Sequence, residues 1–533
     1  MHAEIGRELL ASGDPLRLTL GGVRYVDKPP LLYAMLAGAF ALGGLHEATA
    51  RLVPALAALA AVAATAGLGA RLLGVRWGLL AGVALLGSGS FYAYGRYLRP
   101  ETLFVAALAA GFALTLSGLA DGRRGRAAVG MAFFGLAALA KDPLGALLPP
   151  LAVGLALAAS GRARPLGRWL PWPGVAALLV VGLGWYAAAA VATPGFAAYT
   201  ALDNHVLNVA RARQFPDEDV PLGAGEFLLV AAVGAAPWVL AAAAAVARLV
   251  RRRAWRDSSE APWLALALWA VGVLALTTLS PFRLPHYGLP AYPALALLAA
   301  RAWRDAGRGL TLAHASAFAA LATACGVAWA ARGAPLAAVL AATDVATRKA
   351  LAAGSVVMLD PAAFTPLLGV AAVAFAAGAL VLGALATRPR APHAAAATVA
   401  LTVLAVLPCV ASGLQIVSTA RTVKSVALEL ARRVSPGDVV AHEGPIENSG
   451  ALEWYSGLRP VIVDGWRSVL GFGATRPESR DVFWDAARLL GAWTGPERVW
   501  LVTGRAEERS MASALPGARL VVEADGRRLY VNR

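Results

Sequence analysis

Gly22-Val23-Arg24-Tyr25-Val26-Asp27-Lys28-Pro29-Pro30-Leu31-Leu32-Tyr33 sets an acid beside a base, then two prolines, and opens a long apolar run. A Pro-Pro pair lacks backbone N–H groups and restricts φ, so it makes a rigid, extended entry into the apolar segment behind it. Asp27 and Lys28 are therefore expected at a defined depth, at the rim of a membrane-embedded body. A lysine there suits an anionic headgroup, because its compact ammonium acts as a point charge toward phosphate. A snorkelling interfacial lysine with a charge-paired Asp is the alternative for this stretch taken alone.

Outward from that stretch, the chain reads as a polytopic α-helical membrane protein. Its 533 residues are 58% apolar and 15% charged, more apolar surface than a soluble chain of this size could bury. A span needs roughly 20 apolar residues to cross about 30 Å of hydrocarbon. That ruler predicts about 12 spans, near 49–73, 76–95, 99–120, 126–141, 143–160, 172–193, 225–250, 261–280, 285–303, 309–331, 364–387 and 394–418. Residues 31–45 are apolar but short and read as a helix lying in the interface. Cys325 and Cys409 each lie inside an apolar run, so no disulfide is expected and no redox compartment is indicated.

The formal charge of +16 raises the question of nucleic acid, but its placement argues for topology. Arginines cluster in alternate loops: Arg71 and Arg76, then Arg123 to Arg126, Arg162 to Arg168, Arg248 to Arg256, Arg301 to Arg308, and Arg388 with Arg390. By the positive-inside rule these loops are cytoplasmic. Residues 1–48, the loops at 96–101, 141–143, 194–224, 281–286 and 332–363, and the tail from 419 are then extracytoplasmic. Met1 to Leu10 reads as an amphipathic helix closed by Ser12-Gly13-Asp14, with neither a signal peptide nor a span before it. A first span is expected upstream and is apparently missing.

Three polar stretches interrupt the predicted outer side. Arg99-Pro100-Glu101 opens a span, and a carboxylate at membrane depth pairs or faces an aqueous cavity; a surface Arg99–Glu101 pair is the alternative. The 194–224 loop carries Tyr199, Asp203, Asn204, His205, Asn208, Arg211 and Arg213, a density that favours a ligand-facing role. His205 has only scattered carboxylates near it in sequence, weak grounds for a metal. Ser280 to Pro293 holds Arg283, Pro285, His286 and Tyr287 in an irregular backbone that is tolerated where it lines a cavity. Arg283 offers a fork for phosphate and Tyr287 a hydroxyl; an interfacial aromatic and Arg belt is the alternative. Lys141-Asp142-Pro143 reads more simply as a hairpin turn.

From 419 the pattern changes to short strands at 439–441, 461–463, 499–502 and 520–522, alternating with helical patterns at 422–434, 449–456, 480–493 and 506–514. This predicts a small extracytoplasmic α/β domain, 419–533, accessory to a 49–418 membrane domain and a 1–48 outer loop. It shows no phosphate loop, metal spacing or nucleophile elbow, and Asp438, His442, Glu443 and Asp464 read as loop polar groups.

Asp27-Lys28-Pro29-Pro30, Arg99-Pro100-Glu101, the loop ending at Arg211, Gly234-Ala235-Ala236-Pro237-Trp238 and Leu284-Pro285-His286-Tyr287 resemble, in that order, the aminoarabinose transferase-like enzymes. These are relatives of the protein O-mannosyltransferases in the GT-C superfamily. The resemblance covers nearly the whole chain and implies a thirteen-span glycosyltransferase. Such an enzyme passes a sugar from a polyprenyl phosphate to an envelope acceptor: lipid A, another glycan or a protein. It implies phosphate binding by Lys28, Arg211, Arg283 and Tyr287, a catalytic acidic position at Glu101, and a pocket including Tyr25, Asp27, Tyr33 and His286. A divalent metal is possible, with Asp27 where relatives can carry a Glu. The family's leading Asp-Glu pair, expected to supply the general base, has no counterpart here, so a catalytically dead truncated homologue is one alternative. A transporter or flippase for a lipid-linked sugar is another; it predicts repeats and mid-span ionisable residues, whereas the polar residues here gather toward one face.

Overall fold

The computed structural model describes residues 1–352, 359–388 and 392–533; Arg390 and part of the 332–363 loop lie outside them. Apolar helices build most of the chain. Among the described residues, seven helical stretches are long and apolar enough to cross a membrane: Glu47–Leu73, Glu101–Asp121, Trp172–Ala192, Ser258–Leu279, Arg308–Ala330, Pro361–Ala386 and Pro392–Arg433. An eighth exists if Ala224–Gly234 and Trp238–Arg251, bent by 106° at Ala235-Ala236-Pro237, form one broken span.

This corrects the expectation of about 12 spans. An apolar run counts residues, whereas a span needs an unbroken helix. The 76–95 run breaks at Gly87-Ser88 into Val75–Leu86 and Gly89–Tyr94. The 126–141 and 143–160 runs form helices of 17 and 16 residues, Arg124–Ala140 and Leu144–Ala159. The 285–303 run spends its prolines on a 3₁₀ turn, Pro285–Ala291, which leaves a 13-residue helix, Tyr292–Arg304. At about 1.5 Å per residue such a helix covers only about 20 Å. Tyr292, Leu297, Leu298 and Trp303 on it are buried, so its apolarity serves the core.

Small residues let these helices approach closely. A Cβ on Gly78 would collide with the backbone of Ala66 and Ala70, and one on Gly69 would meet Gly78 Cα at 2.9 Å. The Glu47–Leu73 and Val75–Leu86 helices therefore touch backbone to backbone. Helix His2–Ser12 packs its Ile5 and Leu9 face on helix Leu31–Gly43, with Gly6 fitting against Leu36. Between them lies a short antiparallel hairpin, β1 (Thr19–Leu20) with β2 (Val23–Arg24).

The C-terminal part holds one six-stranded sheet: β3 (Val439–Glu443), β4 (Val461–Val463), β5 (Phe483–Trp484), β6 (Val499–Thr503), β7 (Arg519–Ala524) and β8 (Arg527–Val531). The order is β5-β4-β3-β6-β8-β7, with β5, β4, β3 and β6 parallel and β8 and β7 antiparallel. The four expected strands are present; β5 and β8 are additional. Val499 to Val502 are buried on both faces, as suits a central parallel strand.

Candidate active site

Three segments meet at one rim of the helical body. Pro30 caps the Leu31–Gly43 helix, which fixes Asp27 and Lys28 just outside its first turn. Pro100 caps the Glu101–Asp121 helix and places Glu101 in that helix's first turn, where the dipole favours a carboxylate. Lys141 closes the Arg124–Ala140 helix.

Glu101 is the hub. It is buried, yet Oε1 lies 3.3 Å from Lys141 Nζ and 3.2 Å from His286 Nε2, and Oε2 lies 3.4 Å from Arg99 Nε. Oε2 makes no hydrogen bond. The carboxylate can only accept, so a proton on His286 Nε2 would face it. Lys141 Nζ also sits over the Tyr287 ring, 5.1 Å from its centroid. Burial raises the Tyr287 phenol well above its ordinary value, which keeps it a donor.

Asp27 and Lys28 form the second knot. Lys28 Nζ lies 2.7 Å from Asp27 Oδ2, and Tyr199 OH donates to Asp27 Oδ1 at 3.4 Å. Burial opposes both charges, but each outweighs that penalty for the other, lowering the Asp27 carboxyl and raising the Lys28 ammonium. Tyr33 OH donates to Tyr25 OH at 3.2 Å, with His2 Nδ1 3.1 Å from Tyr33 OH, so both tyrosines lie buried in one polar chain.

A third pair lies beside these. His205 presents Nδ1 to the Thr200 carbonyl at 2.6 Å and Nε2 to Asp142 Oδ2 at 3.2 Å. Both partners only accept, so the ring is satisfied on both sides only as an imidazolium. The Asp142 hydrogen bond accordingly raises the His205 pKa.

Two expected phosphate ligands stand differently. Arg283 donates Nε to the Leu222 carbonyl at 2.9 Å and Nη1 to the carbonyls of Thr278, at 3.1 Å, and Ser280. Its guanidinium thus stitches two loops together. Arg211 is exposed, in a left-handed turn at φ 56. Arg213, two residues on, reaches Asn204 at 2.9 Å, Asp217 at 3.4 Å and Asp203 at 3.5 Å. Lys141, Asp142, His205 and His2 were not singled out from the sequence as site residues. A lysine ending an apolar run at membrane depth is a signal of the kind that flagged Glu101.

Among the described residues, one group of three possible metal ligands exists, and it lies elsewhere. Glu4, Glu8 and Glu453 place carboxylate oxygens within 4.8 Å of one another where helix His2–Ser12 meets the C-terminal part, and could hold a divalent cation. Arg7 bridges Glu4 and Glu453, and Arg459 lies 3.5 Å from Glu8 and 3.3 Å from Glu453. Burial, with Glu4 adding to it, pushes the Glu453 carboxyl up to about 7.

Residues 27–186 match the family described as dolichyl-phosphate-mannose-protein mannosyltransferase. The chain is 28% identical over 308 residues to the undecaprenyl phosphate-alpha-4-amino-4-deoxy-L-arabinose arabinosyl transferase of Edwardsiella ictaluri, a match covering 56% of this chain and 53% of that protein. It is 28% identical over 340 residues to a Pseudomonas fluorescens protein of the same description, over 58% and 55% of the two lengths. The chain thus spans about half the length of these relatives. The crystal structure of ArnT from Cupriavidus metallidurans bound to undecaprenyl phosphate superposes with a TM-score of 0.79 at 23% identity, covering 100% of this chain and 93% of that one. Its apo form gives the same TM-score at 22% identity. The chain therefore has the fold of that crystal structure, and parts of it are similar in sequence to arabinosyl and mannosyl transferases.

Proposed function

We propose that this chain transfers a sugar from a polyprenyl phosphate to an envelope acceptor, such as lipid A, another glycan or a protein. The reaction would take place on the extracytoplasmic side of a bacterial inner membrane. The observation that carries this reading is the convergence at one rim of Lys28, Arg99 and Lys141, held among Asp27, Glu101 and Asp142. These three cations are only partly exposed, a setting where an anion is held more strongly than in water. Such a site stabilises a departing phosphate.

In the transfer, the acceptor oxygen bonds to the anomeric carbon as the carbon–phosphate oxygen bond breaks. The electron pair leaves with the polyprenyl phosphate, held by Lys28 and Lys141, with Tyr287 and Arg283 at the edge. The acceptor's proton passes to the carboxylates of the rim. Glu101, whose Oε2 makes no hydrogen bond, orients the acceptor hydroxyl. Tyr25, Tyr33 and His286 shape the pocket, and Arg211 lies on the loop above it. The arginine-rich loops at the other helix ends support the orientation, as the positive-inside rule requires.

The test uses the full chain in lipid nanodiscs, with undecaprenyl phosphate binding and transfer from labelled undecaprenyl-phosphate sugars as readouts. Lys28→Met is expected to weaken phosphate binding by roughly tenfold or more and to abolish transfer. Equal binding by wild type and variant, or no binding by either, would sink the proposal.

A further inference from the structure

We infer that the carboxyl edge of the C-terminal sheet is a saccharide-binding subsite for the acceptor, built from Asp464, Arg505, Asn448, Glu447 and Trp466; this rests on the reading of the chain as a sugar transferase. The chain runs β3, β4, β5 to one side and then returns to place β6 on the other side of β3. The strand order thus reverses between β3 and β6, and the crevice at the carboxyl ends of such strands is where open α/β sheets bind ligands.

The groups at that edge are built rather than loose. Buried Glu443, ending β3, accepts from Ser510 Oγ at 2.6 Å, Met511 N at 2.9 Å and Arg505 Nη1 at 3.1 Å. This fixes the guanidinium, whose Nη2 donates to Asp464 Oδ2 at 2.7 Å. Asp464 holds a left-handed φ of 54, and its side chain stays 53% exposed. Glu447 accepts from Val469 N through Oε1, while its Oε2 is buried without a hydrogen-bond partner. Trp466, two residues after Asp464, leaves half its indole in solvent and rests on Phe483 at 4.9 Å.

A carboxylate, a fixed guanidinium and an amide suit vicinal hydroxyls, and an exposed indole offers an apolar platform for a sugar ring. Arg505 is neutralised by Glu443 and Asp464 together, so its guanidinium is committed to orienting carboxylates rather than to holding an anion. The position fits an acceptor. Asn448 Nδ2 lies 3.5 Å from Glu218 of the rim loop, and Phe472 packs at 5.1 Å on Tyr199, the residue that bonds Asp27.

The experiment takes the full chain in detergent as wild type, Trp466→Ala and Asp464→Asn; Asn tolerates the left-handed backbone. Each is applied to a glycan array of bacterial envelope saccharides and, separately, titrated with undecaprenyl phosphate. The wild type is expected to retain saccharides, with retention falling roughly tenfold in Trp466→Ala, less in Asp464→Asn, and undecaprenyl phosphate binding unchanged in both. Retention undiminished in both variants would overturn the inference, as would a wild type that binds undecaprenyl phosphate but no saccharide. Loss in Trp466→Ala of binding to anionic phospholipid vesicles alone would make the indole a membrane anchor instead. A wild type that retains saccharides through Trp466 but fails to bind undecaprenyl phosphate would keep this subsite and sink the transferase reading.

Discussion

Glu101 and Asp121 close the two ends of one helix, about 30 Å apart at 1.5 Å per residue. Each carboxylate gathers cations: Glu101 draws Arg99 and Lys141, and Asp121 draws Arg71 and Arg126. The ingredients match, yet the settings do not. Glu101 is buried among Lys141, His286 and Tyr94-lined walls, whereas Asp121 lies at the end where arginines reach into solvent. Burial decides what a cluster of charges can do. In the low-dielectric setting a cation acts strongly on a ligand; at the exposed end, water and salt screen it.

The largest expected effect is at the buried end. Glu101→Gln should lower transfer by about 10²-fold or more and destabilise the fold by about 3–5 kcal/mol, because Arg99 and Lys141 lose their counter-charge. The double variant Glu101→Gln/Lys141→Met should recover much of the lost melting temperature without recovering transfer, since one stranded cation is gone. Equal stability in the single and double variants would show that burial does not set Glu101 apart from Asp121.

The Glu4, Glu8 and Glu453 cluster sets three partly to fully buried carboxylates against two arginines. Glu453 sits at about 7, above its ordinary 4.5. A carboxyl raised by folding favours the folded state fully below its unfolded value, and that contribution is lost as pH rises through the folded one. The melting temperature should therefore fall between about pH 4.5 and 7. Millimolar Ca²⁺ should offset the fall by binding the folded state. Glu453→Gln should remove both dependences; a Ca²⁺ shift that persists in this variant would separate the cation from the cluster.

His205 gives a smaller effect of the same sign. Its raised pKa makes the imidazolium pair with Asp142 stabilising below the ordinary histidine value, and that gain fades as pH rises through the raised one. The melting-temperature gap between wild type and His205→Gln should shrink across that range. A constant gap would mean that the ring packs there as a neutral group.

Much of the rim was legible because its features are local. Two prolines before Leu31 and one before Glu101 announce helix starts, and the acids and bases beside them land where those starts put them. Span number was not legible, because composition does not register where Gly87-Ser88 or the Pro285–Ala291 turn breaks a helix. The Lys141–Glu101 and His205–Asp142 pairings join segments far apart in sequence and needed the packing. Arg211 and Arg213 are indistinguishable by type; a left-handed turn exposes the first and turns the second toward Asp203. The carboxyl edge of the sheet was unreadable for the same reason, since the reversal of strand order between β3 and β6 exists only once β6 has paired.

The smallest expected effect belongs to Asp121. Its partners Arg71 and Arg126 are 48% and 32% exposed, so removing the carboxylate strands no charge away from water. Ion pairs of this kind trade Coulomb attraction against side-chain entropy and hydration almost evenly. Asp121→Asn should leave both the melting temperature and transfer unchanged within error, at low and high salt alike. Should it instead cost as much as Glu101→Gln, charge count rather than burial would rule both ends of the helix. The cations at the rim would then have no special hold on a phosphate.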